Sequence, residues 1–434
     1  MYRRLLALFR ELGPNRHFLK LSGSQLLSLT AFNMVNFTLL LRVYDLTNSA
    51  TFVSLFVLSF GVPSLLFGAI AGVFADRWDR KRVLTVTNLL RTAVALCYLP
   101  TLDSVAAIYV TTFVIATITQ FFTPAEGALI PELVERKRLV AANGVFIVTM
   151  FVSFVVGYGV AGPLAQAGGD TLPIVIAAGM FALATLLCAT LPKSSVHGAA
   201  VRLRDAYRSV GSQLLEGFKL VGQNGAVRYG LSQLTLVWST VGVVMVLLPI
   251  FTAQVLGLDL REVSRTIILP IGIGMLAGGY MLDRARRHFA VRRIITIGLL
   301  LSGLSVAALG QVGDIARVTV EHNLAGADDL RATAATLTSI LSTILGSGIA
   351  MVMIASQTMI HVATEPKMRG RIFGVLGTSI NAANTVPVLA AGLLTDVFRV
   401  SAVVTVLGLL LIVWAAVSPQ IGREAAKHPA RAIS

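Results

Sequence analysis

Long runs of apolar residues alternate with short polar segments along the chain. Twelve runs are long enough to cross a bilayer, because a hydrocarbon core of about 30 Å requires roughly 20 apolar residues in a helix. The predicted spans are residues 21–43, 52–75, 83–101, 104–124, 140–164, 171–192, 230–252, 262–282, 292–312, 334–362, 371–394 and 400–418. The pattern therefore predicts an all-α polytopic membrane protein with both termini on one side of the membrane.

Composition and charge placement agree with this prediction. Of the 434 residues, 55% are hydrophobic and 13% are charged, whereas a soluble domain has about 25% charged residues. The net charge of +15 would suit nucleic acid, but Lys and Arg lie in short groups in alternate connections and form no continuous basic face. This distribution follows the positive-inside rule. We therefore expect both termini in the cytoplasm and no nucleic-acid partner.

The chain contains one internal repeat. Ser24-Gln25-Leu26 recurs as Ser232-Gln233-Leu234, and Asp76-Arg77 recurs as Asp283-Arg284. The basic turn Arg136-Lys137-Arg138 recurs as Arg369-Gly370-Arg371, at a larger sequence separation because a polar insertion at 311–333 precedes the tenth span. These matches predict two six-helix halves arranged as parallel repeats. The predicted boundaries are 1–192 for the first half, 193–229 for a cytoplasmic linker with an amphipathic helix, 230–420 for the second half and 421–434 for a cytoplasmic tail.

The connection between the second and third spans, Gly72 to Leu84, carries a recognisable motif. It contains Asp76-Arg77 and Arg80-Lys81 at the spacing of the signature of the major facilitator superfamily, with Asp79 in place of the second glycine. With the twelve spans in two halves, it resembles that superfamily of secondary transporters over residues 15–420. The departure at Asp79 resembles the branch of macrolide, siderophore and other drug exporters. The resemblance implies the major facilitator fold, alternating access and a bacterial plasma membrane.

The resemblance also implies a gate. Asp76 would face the positive end of a neighbouring helix, and the bases after it would pair with acids of the other half in one state and release them in the next. The alternative is that this turn, like its looser copy in the second half, only sets topology. The candidate gating residues are Gly72, Asp76, Arg77, Arg80, Lys81, Asp283 and Arg284.

The fifth span is rich in small residues. Its segment from Gly157 to Gly169 includes Gly159, Gly162 and Pro163 and resembles the antiporter signature of the superfamily, with slightly stretched spacing. This resemblance favours export. The alternative is a face for close helix packing.

Charged residues inside a bilayer are costly and are therefore functional candidates. Arg91 lies well inside the third span, and Glu126 lies near the end of the fourth. We predict that they form a charge pair, either a proton-sensitive switch or a structural clamp. Asp45 and Asp396 are the other acids near the membrane; each is a candidate for proton coupling or, alternatively, a cap at a helix end.

The central cavity of the superfamily is lined by spans one, four, seven and ten. On these spans the candidate substrate contacts are Asn33, Asn36, Gln120, Trp238 and Gln357. Amides and an indole in an apolar cavity suit a large, weakly charged amphipathic cargo. They equally suit hydrogen bonds between helices.

Catalytic chemistry finds no support in the sequence. The six histidines and two cysteines have no metal-ligand spacing, and no phosphate-binding loop occurs, so we expect no enzymatic activity, metal or cofactor. We predict a monomeric, proton-coupled exporter of amphipathic small molecules of drug, macrolide or siderophore type. The alternatives are a lipid or lysolipid translocator of the same fold and a membrane sensor that transports nothing.

Overall fold

The computed structural model describes residues 15–75, 78–135, 138–194, 219, 221–322, 329–364 and 384–427. Over these residues the backbone is almost wholly helical and contains no strand. Eleven helices in this part are long and apolar enough to cross a membrane. A shorter apolar helix, Asn384–Val397, lies in the predicted eleventh span, whose beginning falls outside the described residues. The predicted all-α polytopic architecture is confirmed.

The described residues before the predicted linker form six α-helices, and each overlaps one predicted span. They are α1 (Arg16–Thr47), α2 (Ala50–Ala75), α3 (Arg80–Cys97), α4 (Val105–Leu133), α5 (Leu139–Gly168) and α6 (Thr171–Ala189). Short polar side chains cap several of these helix starts, among them those of α3 and α4. Asp79 accepts a hydrogen bond from the Lys81 amide at the start of α3, and Ser104 accepts one from the Ala107 amide at the start of α4.

In the described residues after the predicted linker, seven α-helices are found, besides short 3-10 and π-helical turns between residues 252 and 268. They are α7 (Gly225–Phe251), α8 (Leu269–Ala285), α9 (Val291–Gly310), α10 (Val312–Glu321), α11 (Leu330–Ala363), α12 (Asn384–Val397) and α13 (Val400–Lys427). The short helix α10 occupies much of the segment that the sequence suggested to be a polar insertion. The predicted amphipathic helix of the linker falls almost wholly outside the described residues.

The chain forms two compact units. One comprises Met1–Thr47 with Phe56–Val210, and the other comprises Asn48–Leu55 with Gly211–Ser434. In the first unit α1 packs on α6, and α3 packs on α4 and α6; in the second, α7 packs on α13, and α9 packs on α11 and α13. If α7, α9, α11 and α13 correspond to α1, α3, α4 and α6, the two units contain the same helix pairs, as in an internal repeat. The residue boundaries of the two halves stay a prediction.

Small residues let two helices of the second unit pack backbone against backbone. A Cβ atom at Gly274 of α8 would overlap the Thr343 carbonyl of α11, and one at Gly346 of α11 would overlap the Ile271 carbonyl of α8. The Ser347 hydroxyl donates a hydrogen bond of 2.9 Å to the Gly274 carbonyl. This close approach is typical of helices that associate in membranes.

Candidate functional site

A buried polar cluster lies inside the first unit around Arg91 of α3, which is 1% exposed. Its Nη1 donates to the Ser28 hydroxyl of α1 at 2.7 Å and, over a longer 3.4 Å, to Asn88 Oδ1 one turn earlier on α3. The Ser28 hydroxyl in turn donates to Asn88 Oδ1 at 2.7 Å. We call Ser24, Ser28, Asn88, Arg91, Glu126 and Cys188 the Arg91 cluster.

Aromatic rings cover the Arg91 guanidinium. Its Cζ lies 4.2 Å from the centre of the Phe122 ring of α4 and 5.9 Å from that of the Phe181 ring of α6. A cation over an aromatic face is attracted by the quadrupole of the ring. The Nε and Nη2 atoms have no hydrogen-bond partner among the described residues. Two rings, one hydroxyl and one amide therefore hold this charge in place.

Glu126 of α4 lies one turn after Phe122 and is 2% exposed. In the described part of the chain its Oε1 has no hydrogen-bond partner, and no ion pair within 4.0 Å joins its carboxylate to Arg91. The Arg91 guanidinium nevertheless lies over the ring of Phe122, one helical turn before Glu126 on α4. The structure therefore brings the predicted partners into one buried region without direct contact.

Most of the other members of the Arg91 cluster were not predicted from the sequence. The Ser24 hydroxyl of α1 lies 2.9 Å from Cys188 Sγ of α6, and Asn88 Nδ2 donates to the same sulfur at 3.7 Å. Cys188 thus has polar neighbours as well as apolar ones. The spacing in the sequence could have grouped these residues. Ser24 and Ser28 lie four residues apart on one face of α1, and Asn88 and Arg91 lie three apart on one face of α3.

The candidate gating motif of the first half is described in part. Asp76 and Arg77 lie outside the described residues, and Gly72 lies within α2. Asp79 caps α3, and its Oδ1 also accepts a hydrogen bond of 3.2 Å from the Ser194 amide. A carboxylate at the place of the usual glycine therefore fixes the start of α3.

Arg80 of this motif contacts α4 of its own unit. Its Nη1 donates to the Ala128 carbonyl at 2.9 Å and forms an ion pair with Glu132. Glu132 also accepts a hydrogen bond of 2.7 Å from the Ser194 hydroxyl. The side chain of the next base, Lys81, is half-buried. Pairing of these bases with acids of the other half stays a hypothesis.

The second copy of the motif is held by contacts within its helix end. Asp283 forms a 2.7 Å ion pair with Arg286, and Arg284 donates to the Tyr280 hydroxyl at 3.0 Å. These residues lie at the end of α8, as Asp76 and Arg77 follow α2 in the first half. The equivalence supports the repeat and leaves the gating role a prediction.

The antiporter-like motif lies within α5, which stays helical through Pro163 and ends at Gly168. Gly159 and Gly162 are buried, whereas Pro163 is exposed. Gly169 has a φ of +67°, a conformation that glycine adopts without steric cost. The final glycines of the motif therefore end the helix and begin a turn.

Three candidate cavity residues lie in the first unit. The Asn33 Cβ is so near α5 that a Cβ atom at Gly157 would come within 2.6 Å of it. Asn36 is 7% exposed, and its Oδ1 has no partner among the described residues. Among the described residues, Gln120 Nε2 donates one long hydrogen bond, of 3.5 Å, to the Ala116 carbonyl. Asn36 and Gln120 thus keep hydrogen-bonding capacity.

The other two cavity candidates, Trp238 of α7 and Gln357 of α11, are half-buried in the second unit. Another residue of α7 forms a hydrogen bond to a neighbouring helix: Trp414 Nε1 of α13 donates to Gln233 Oε1 of α7 at 3.0 Å. Gln25, the repeat equivalent of Gln233, donates a long 3.4 Å bond to the Phe146 carbonyl of α5. The repeated Ser-Gln-Leu motif thus lies at helix contacts in both units.

The two remaining acids lie at helix ends. Asp45 is exposed near the end of α1. Asp396 accepts hydrogen bonds from the Ser49 hydroxyl at 2.6 Å, the Ala50 amide at 2.8 Å and the Thr51 amide at 3.1 Å. It therefore caps the start of α2. Among the described residues, no group of three or more His, Cys, Asp or Glu side chains could hold a metal ion.

Comparison with known proteins decides the family. The sequence profile of the Major Facilitator Superfamily matches residues 21–320. The chain belongs to this superfamily. It is 24% identical to the uncharacterized MFS-type transporter YfiS of Bacillus subtilis, over 86% of this chain and 85% of that protein. It is 21% identical to macrolide efflux protein A of Streptococcus pyogenes, over 93% of this chain and 95% of that protein.

Solved structures share the fold of this superfamily member. A mutant of the nucleoside transporter NupG superposes with a TM-score of 0.70 at 12% identity, over 95% of this chain and all of that one. A bacterial homologue of the human lysosomal transporter Spinster superposes with a TM-score of 0.69 at 13% identity, over 97% and 99% of the two chains. The resemblance identified from the sequence is confirmed, and the protein is a multi-pass membrane transporter.

Proposed function

We propose that this transporter exports amphipathic small molecules of drug, macrolide or siderophore type in exchange for protons. Glu126 is the proton-binding carboxyl, and Arg91 is its electrostatic partner. One observation carries the proposal: two opposite charges are buried in one unit without a direct ion pair. Export takes place across a bacterial plasma membrane. The transporter works as a monomer, with both termini in the cytoplasm.

The arrangement of the Arg91 cluster suits repeated protonation. A buried carboxylate without a contacting counter-ion carries a large desolvation cost, which binding a proton removes. Ser28, Asn88 and the Phe122 ring hold the guanidinium independently of Glu126. Glu126 can therefore gain and lose a proton while Arg91 keeps its place and its attraction for the charged form.

Three features support export of a weakly charged cargo. One relative is named for macrolide efflux, and the small residues of α5 resemble an antiporter motif. The candidate cavity residues supply amides and an indole, with hydrogen-bonding capacity left at Asn36 and Gln120. Such groups orient an amphipathic molecule while apolar walls supply most of the contact.

The test is cargo-dependent collapse of a respiration-generated pH gradient in everted vesicles that contain the protein. The panel comprises erythromycin, ethidium, desferrioxamine and lysophosphatidylcholine. We expect one class to dissipate the gradient, and Glu126→Gln to abolish this response while cargo still binds. Asp103→Asn is the matched control, because the side chain of Asp103 is 90% exposed. Cargo transport that leaves the gradient untouched would contradict proton exchange and favour a uniporter or lipid translocator.

A further inference from the structure

One asparagine joins the start of α1 to the end of α4. Asn15 directly precedes α1, and its Oδ1 accepts a hydrogen bond of 3.0 Å from the Phe18 amide. Its Nδ2 donates a hydrogen bond of 2.6 Å to the carbonyl of Leu133, the last residue of α4. A single amide group therefore caps one helix and holds the end of another.

The same arrangement recurs in the second unit. Asn224 directly precedes α7, and its Oδ1 accepts hydrogen bonds from the Ala226 amide at 3.1 Å and the Val227 amide at 3.2 Å. Its Nδ2 donates at 3.0 Å to the carbonyl of Ala363, the last residue of α11. In the internal repeat α7 corresponds to α1 and α11 to α4. The two contacts, which we call the asparagine clamps, are therefore equivalent.

Asparagine is the side chain that this position needs. A helix start presents amides without intrahelical acceptors, and a helix end presents carbonyls without donors. The carboxamide has an acceptor and a donor and satisfies both ends at once. Aspartate caps well but has no hydrogen to donate, and serine caps with a side chain too short to bridge to a second helix.

We propose that the asparagine clamps are positioning elements, which keep the helices of each clamped pair together at one end so that each pair moves as a unit during transport. The proposal rests on the proposed function, because the clamped helices are those that carry the candidate cavity residues. In the first unit these are Asn33 and Asn36 on α1 with Gln120 on α4. In the second they are Trp238 on α7 and Gln357 on α11.

Hydrogen exchange of the full-length protein in lipid nanodiscs tests the clamp without any cargo. In Asn15→Asp we expect the amides of residues 130–133 to exchange about 2- to 10-fold faster, the range for loss of one hydrogen bond. Amides 18–20 should keep the parent rate because the cap remains, whereas Asn15→Ala should loosen both segments. Asn224→Asp should speed exchange of the amides of residues 360–363 and leave the exchange rates of α4 unchanged. Asp329→Asn, at the opposite end of α11, is the control.

Export of erythromycin from proteoliposomes tests the positioning role. Asn15→Asp and Asn224→Asp should lower the maximal rate severalfold at an unchanged KM, with unfolding temperatures near that of the parent. Parent-like exchange at 130–133 would overturn the clamp, and faster exchange with parent-like export would overturn its role. Asn15→Ser replaces Asn15→Asp if the latter does not fold. If the parent exports no cargo, the proposed function fails, and the exchange experiment still decides whether the clamp exists.

Discussion

Arg91 and Glu126 lie buried in the first unit on neighbouring helices, yet they make no ion pair within 4.0 Å among the described residues. The guanidinium is instead fixed by Ser28, Asn88 and the ring of Phe122. A purely structural clamp would gain most from direct contact, since attraction between buried charges falls with distance. The separation favours a role in which Glu126 changes its charge.

Removing Arg91 alone should be more damaging than removing both charges. Arg91→Ala leaves Glu126 without its electrostatic partner; because the two charges make no direct ion pair and Glu126 can bind a proton, the loss of folding stability should be smaller than the about 3 to 5 kcal/mol of a broken buried ion pair. Arg91→Ala combined with Glu126→Gln should recover part of that loss. Arg91→Lys keeps the charge but loses the planar group that stacks on Phe122, so we expect an intermediate effect. Thermal unfolding in detergent measures the stability of these variants and of Glu126→Gln alone. If the loss in the double variant equals the sum of the losses in the two single variants, the two residues do not interact.

The apolar runs predicted most of the fold because a bilayer demands long continuous helices whatever their detailed packing. The helix α10 was missed because its ten residues alternate polar and apolar side chains and give no spanning signal. The clustering of Ser28 and Asn88 around Arg91 was missed because small polar residues in a span equally suit helix packing. Asn15 could be recognised as a cap from its local sequence, but its bond to Leu133 depends on which helices are neighbours.

The ion pair between Arg80 and Glu132 predicts that Glu132 is the functional partner of this base. The side chains of Arg80 and Glu132 are 19% and 25% exposed, and such partly exposed pairs contribute about 0 to 1 kcal/mol. Glu132→Gln should therefore change stability little. Arg80→Ala should cost more because the bond to the Ala128 carbonyl is also lost. Recovery of transport when Arg80→Glu is combined with Glu132→Arg would identify Glu132 as the functional partner; no recovery would point to another acid.

Asp396 should behave as a helix cap and not as a proton carrier. Asp396→Ala removes the acceptor for the Ser49 hydroxyl and the Ala50 and Thr51 amides, and loss of an N-cap costs about 0.5 to 2 kcal/mol. Asp396→Asn keeps an acceptor oxygen, so it should retain most of the stability and the full proton response in everted vesicles. Loss of that response in a well-folded Asp396→Asn would contradict this assignment and return Asp396 to the coupling candidates.

The close packing of α8 on α11 gives a prediction with an internal control. Gly274→Ala places a methyl group against the Thr343 carbonyl, and because backbone cannot rotate away as a side chain can, the helices must separate. We expect a loss of about 1 to 3 kcal/mol, as for overpacking elsewhere, and reduced transport. Gly179→Ala in α6 is the matched control, because nothing lies within 4 Å of its added Cβ and alanine favours the helix by about 1 kcal/mol. Thermal unfolding of the two variants should therefore shift in opposite directions; a Gly274→Ala protein as stable as the parent would mean that α8 and α11 are not in backbone contact in the membrane.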